Sequence, residues 1–152
     1  MKKPAGFTII EILVAVVISM ILFGGGLAAF RGVEAKQNLK QAGIEFQSNL
    51  RLIQEKNLSS QKPTGCDVLL GYEVSWVDGN TYSMKPTCQN GAVIITEVDL
   101  PEGISFTANF GEISFFVLQA EVNNKTIILE NSGGLQYEVM IENKGVIKGV
   151  ML

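Results

Sequence analysis

Apolar and polar positions alternate in three different ways along the chain. From Phe7 to Phe30 nearly every position is apolar, and no charge occurs between Ile12 and Phe30. A helix over residues 7–30 would be roughly 36 Å long at ~1.5 Å per residue, enough for a hydrocarbon core of ~30 Å. Beyond it, Leu39, Ala42, Phe46, Leu50 and Ile53 recur every three or four positions among Lys40, Gln41, Glu45, Gln47, Ser48, Asn49 and Arg51. That is one amphipathic face, expected to become domain core. The two patterns predict one helix from about Phe7 to about Leu58. Ser59-Ser60-Gln61-Lys62-Pro63-Thr64-Gly65, rich in turn formers, ends it.

After Cys66 the pattern becomes that of strands. Residues 68–77 and 81–84 are rich in β-formers and flank the turn Asp78-Gly79-Asn80. Residues 92–99 follow, closed by Leu100-Pro101-Glu102-Gly103, and then 104–108, 113–122 and 126–130, with Asn123-Asn124 as a turn. Residues 136–142 and 146–150 flank Asn143-Lys144-Gly145, a hairpin signal. The expected fold class is α+β: a long N-terminal α-helix, its inner half membrane-spanning, packed on an antiparallel β-rich head. The apolar close, Val150-Met151-Leu152, predicts a last strand packed inside that head.

Charge divides the 152 residues further. Residues 59–152 hold eleven acids and five lysines, a balance of −6, while the N-terminal part holds seven bases and four acids, a balance of +3. An acidic head argues against a nucleic-acid surface, which needs clustered Lys and Arg to neutralise phosphates. Lys2 and Lys3 ahead of the apolar run place the N-terminus in the cytoplasm and the head outside, although Arg31 and Lys36 reduce the asymmetry. Two cysteines, Cys66 and Cys88, fall in the outward part. An even count in an exported domain favours a disulfide, worth roughly 3 kcal/mol in the chain-entropy model; the alternative is two buried thiols.

The sequence contains no histidine, which excludes Ser-His-Asp and Cys-His catalytic sites. Paired carboxylates remain possible by composition, but Glu73, Glu97, Asp99, Glu121 and Glu138 lie in strand patterns where solvent-facing acids are the rule. Tyr72, Trp76 and Tyr82 read as core or cross-strand aromatics. Asp99 and Glu102 flank a proline turn and read as solvated. No catalytic residue, metal site or cofactor is expected.

Residues 1–30 admit three readings. Gly26 and Ala28 have the spacing of a secretory cleavage site, but the apolar run is too long for one and Glu11 lies near its start. A plain signal anchor leaves Glu11 unexplained, because an unpaired carboxylate near a membrane costs a few kcal/mol. The third reading rests on Lys2-Lys3-Pro4-Ala5-Gly6-Phe7-Thr8-Ile9-Ile10-Glu11, followed by Ile12-Leu13-Val14-Ala15. This stretch closely resembles the start of type IV prepilins and type II secretion pseudopilins.

The resemblance implies a leader, residues 1–6, cut after Gly6 by a prepilin peptidase that then methylates Phe7. It also implies that Glu11 meets the new N-terminal amine of a neighbouring subunit during assembly. An unpaired charge in a low-dielectric helix bundle is expensive, and pairing recovers much of that cost, so Glu11 would be costly in the monomer and satisfied in a filament. Residues 7–30 become a transmembrane and filament-core helix, 31–58 its amphipathic continuation, and 59–152 the head. The head more loosely resembles H-type minor pseudopilins and FimT-like minor pilins, through Leu100-Pro101-Glu102-Gly103-Ile104-Ser105-Phe106 and the closing hairpin with Gly145. Gly24-Gly25-Gly26, costly in a helix at about 1 kcal/mol each, reads as a point that extends on packing, or as close-approach spacing of Gly25 with Ala29.

The function expected is that of a structural subunit, a minor pilin or pseudopilin of a type IV pilus-like or type II secretion filament. The implied partners are prepilin peptidase, other pilin or pseudopilin subunits, an inner-membrane assembly platform and membrane lipid; no nucleic acid is expected. The implied location is a single pass through the cytoplasmic membrane, then the pilus or pseudopilus. Alternatives are a major pilin of an adhesive or motility fibre, a DNA-uptake pseudopilin and, more distantly, a membrane-anchored hydrolase.

Overall fold

One helix, α1 (Ile9–Leu58), takes up 50 residues. The computed structural model describes residues 6, 8–91, 94–117 and 124–152, with the backbone alone for residues 23–31. The chain divides into two compact units, Met1–Lys36 and Gln37–Leu152. In the first, α1 is helical through Gly24, Gly25 and Gly26, and its large apolar side chains from Ile9 to Leu22 are all exposed. Among the described residues no helix is long and apolar enough to cross a membrane. The described apolar stretch, residues 9–22, rises only roughly 21 Å at ~1.5 Å per residue, short of a ~30 Å core. The rest of the span expected over residues 7–30 falls on Phe7, outside the described residues, on Thr8, and on residues 23–30, described by their backbone alone.

In the second unit the helical face is as the period predicts: Leu39, Ala42, Phe46, Leu50 and Ile53 are buried. α1 stops where its carbonyls find two donors beyond it. Gln61 N bonds Lys56 O and Ser60 N bonds Asn57 O, both at 3.0 Å, with Ser60 in the left-handed region at φ 48°. This is the Schellman arrangement with serine where glycine is usual.

Eight strands are present among the described residues: β1 (Leu69–Trp76), β2 (Thr81–Cys88), β3 (Thr96–Asp99), β4 (Ile104–Phe106), β5 (Glu112–Phe116), β6 (Lys125–Asn131), β7 (Gln136–Ile141) and β8 (Ile147–Met151). They form two antiparallel four-stranded sheets, ordered β3-β2-β1-β5 and β4-β6-β7-β8. Two strands differ from expectation for identifiable reasons. β2 runs on past Met84 to Cys88 and includes Pro86. Among the described residues β3 pairs only with residues 81–84, so β2 has there a single neighbour beyond Met84, and a residue without an N–H breaks no second ladder. β3 starts at Thr96, with Ile94 and Ile95 exposed outside any strand, and residues 92–93 of the strand expected over 92–99 lie outside the described residues. The far end of the strand expected over 113–122 lies outside the described residues.

The inner faces of both sheets and the buried face of α1 share one core. Phe46 sits at its centre, with ring centroids 4.9 Å from Tyr82 and 5.4 Å from Phe106, both edge-on. These offset geometries suit the quadrupoles of aromatic rings. Tyr137 of β7 lies against two glycines. A Cβ on Gly43 of α1 or on Gly149 of β8 would overlap its side chain. Polar side chains tie the helix to the sheets: Gln47 and Arg51 both donate to Ile147 O at 3.0 Å, and Gln54 donates to Gly145 O at 2.9 Å. Asn49 donates to the Tyr82 hydroxyl at 2.6 Å and Asn57, fully buried, to Phe116 O at 2.8 Å. The chain does end in a strand, but Val150 and Leu152 are exposed; of this edge strand Ile147 is buried and Met151 partly so, which corrects the expected inward packing of all three closing residues.

Candidate functional site

The site is the start of α1 and the apolar surface behind it. Thr8 precedes the first helical residue, Ile9, and Glu11 stands three positions after Thr8. Thr8 N and Thr8 Oγ1 both donate to Glu11 Oε2 at 2.8 Å, and Glu11 N reaches Thr8 Oγ1 at 3.4 Å. This reciprocal pair is a capping box, which satisfies helix-start donors that have no intrahelical partner. The carboxylate also lies at the positive end of the helix dipole. Beside the contact with a neighbouring subunit expected of it, Glu11 thus has a role in its own chain that was not expected, although its signal, Thr-x-x-Glu ahead of an apolar run, is plain in the sequence. Glu11 is therefore satisfied in part within its own chain, which corrects the picture of a carboxylate left wholly unpaired before assembly. Its other oxygen, Oε1, takes no hydrogen bond among the described residues.

Behind the cap, residues 9–22 present apolar side chains on every side of the helix. A helix apolar all round must be covered by lipid or by other helices. Only one other polar side chain interrupts it, and Ser19 Oγ donates to Ala15 O at 2.8 Å, so the hydroxyl is satisfied within the helix. Of the two residues expected to flank the cleavage, Gly6 is exposed with open space around its Cα, and Phe7 lies outside the described residues.

The head holds the other candidates apart. Cys66, in the loop after α1, and Cys88, at the end of β2, form a disulfide with Cα atoms 5.6 Å apart, and both are buried. Glu73 of β1 is not turned to solvent as expected: it lies across the sheet against Lys85 of β2 at 2.7 Å. Asp99 accepts from Thr81 Oγ1 at 2.8 Å, Glu97 is exposed on β3, and Glu138 belongs to the other sheet. Glu121 lies outside the described residues. Tyr72 and Tyr82 are core residues and Trp76 packs against the core. Burial pushes the phenol of Tyr82 above its usual range and that of Tyr72 likewise, so both stay neutral at physiological pH. Among the described residues no cluster of three or more His, Cys, Asp or Glu side chains could hold a metal ion.

Residues 1–27 match the family model for the prokaryotic N-terminal methylation motif, the leader of type IV prepilins and pseudopilins. The motif supports a pilin-like or pseudopilin subunit, and it implies processing by prepilin peptidase and assembly with other such subunits. No curated protein and no solved structure matches the chain.

Proposed function

We propose that the chain is a minor pilin or pseudopilin: a structural subunit cut after Gly6, methylated on Phe7, anchored by one pass through the cytoplasmic membrane and drawn into a filament by α1. The observation that carries this reading is the methylation motif over residues 1–27 directly ahead of a helix whose described first turns expose apolar side chains on all sides. Cleavage before Phe7 creates an α-amino group, cationic near neutral pH, three residues ahead of Ile10. Glu11 Oε1 is the oxygen left for the amine of a neighbouring subunit. The head, disulfide-bonded, faces the oxidising side.

Intact mass decides the reading. The full chain is co-expressed with and without a prepilin peptidase. Loss of residues 1–6 with one added methyl at Phe7 is expected. An uncut chain would leave a simple anchor, and a cut after Ala28 would mean a secreted domain; either result overturns the proposal.

A further inference from the structure

Asn90-Gly91 is the dipeptide most open to spontaneous deamidation, because glycine does not shield its own backbone nitrogen. In this fold the reaction is restrained at both ends, and the disulfide governs the side-chain end. Asn90 Nδ2 donates to Gly65 O at 2.8 Å, and Asn90 Oδ1 accepts from Asp67 N at 3.4 Å. The side-chain amide thus bonds both residues that flank Cys66. The nucleophile is held as well: Gly91 N donates to Cys88 O at 3.1 Å in the turn where Gly91 takes φ 69°. Gly65, Asp67 and Cys88 are the partners, and the Cys66–Cys88 bond fastens them to one another. Both Asn90 and Gly91 are exposed, so water has access.

We infer that Asn90 is a modification site gated by the Cys66–Cys88 disulfide, chemically inert in the oxidised head and reactive in the reduced one. Without the bridge, the 65–67 segment is tied to the end of β2 by the two Asn90 bonds themselves and, just beyond it, by Gln89 N to Val68 O at 2.9 Å and the pairing of Leu69 with Cys88. The Asn90 side chain can then swing back. Gly91 N attacks Asn90 Cγ, the new C–N bond forms, the nitrogen proton is lost to solvent, and the side-chain nitrogen leaves as ammonia. Water opens the resulting succinimide to aspartate or isoaspartate. Either product removes the donor that bonded Gly65 O and sets a carboxylate against that carbonyl. Isoaspartate also lengthens the backbone between residues 90 and 91, which spoils the turn carrying Cys88. A head that stays reduced is thereby altered irreversibly and loses the clamp that brings Cys66 to Cys88.

The test uses the full chain, oxidised and after reduction with thiol alkylation, incubated at mildly alkaline pH and analysed by peptide mass for amide-to-acid conversion at Asn90. Conversion at least about tenfold faster in the reduced chain is expected, the effect of releasing the two hydrogen bonds on the side chain. Equal rates would overturn the inference. A Val74→Ala variant, disulfide intact and brought by temperature to the same folded fraction as the reduced chain, separates clamp from general unfolding. It should keep Asn90 slow; conversion as fast as in the reduced chain would also overturn the inference. Finally, Asn90→Asp should reoxidise several-fold more slowly than the wild-type chain, by loss of one clamping bond, and an unchanged rate counts against the clamp.

Discussion

Glu11 has two jobs that substitution can separate. Glutamine fits a capping box as glutamate does, so Glu11→Gln keeps the helix start and removes the charge. Thr8→Ala keeps the charge and removes the cap, at roughly 1 kcal/mol of helix stability. Both variants should insert in the membrane. If assembly needs the charge, Glu11→Gln is incorporated poorly into filaments and Thr8→Ala nearly as well as wild type, scored by the filament-bound fraction. Gly43 illustrates a different constraint. In an exposed helix Gly43→Ala would gain about 1 kcal/mol of propensity. Here the added methyl enters the ring of Tyr137, which Gly149 also crowds near its hydroxyl end. Overpacking at roughly 1–3 kcal/mol outweighs the gain, so the variant should melt lower in a thermal scan. Nothing in the sequence alone reveals Gly43 as a contact, because the ring that meets it comes from almost a hundred residues away.

The helix was legible because its signal is local and long: a 3.6 period from Leu39 to Ile53, then a run of turn formers. Its C-terminal cap uses Ser60 at positive φ, which no propensity favours, and was invisible for that reason. Strands were found wherever β-formers alternate, but their ends followed their neighbours. β2 outran its pattern because β1 pairs with it as far as Cys88, and Ile94 and Ile95, good strand formers, lie outside any strand. The turn between β1 and β2 was correctly read from Asp78-Gly79-Asn80, and it carries a pH dependence. Asp78 Oδ1 accepts from Asn80 N and Thr81 N, both at 2.8 Å, and these bonds, first that from Asn80, hold its pKa below the usual carboxylate value. A lowered folded-state pKa contributes stability above the ordinary carboxylate range that is lost as pH falls through the folded value. Asp78→Asn should therefore flatten the acid limb of the melting-temperature profile and leave no added slope near neutrality.

The partition of eight strands into two sheets lay beyond the sequence. β1 pairs with β5 and β4 with β6 across long chain separations, and the pattern of each strand is equally compatible with other partners. What joins the two sheets is α1 from Gln37 on, together with the aromatic group around Phe46. The disulfide adds a covalent loop with a sequence separation of 22. Replacing both Cys66 and Cys88 by serine should lower unfolding stability by roughly 3 kcal/mol in denaturant titration, with little change in the spectrum of the folded state. The half-covered β2 bears on life at a crowded surface. Bare sheet edges invite strands from other chains, and the danger grows when copies stand side by side on a membrane or in a fibre. Pro86 has no N–H to offer an incoming strand and is itself buried, so among the described residues this end of β2 is a broken template for edge-to-edge pairing.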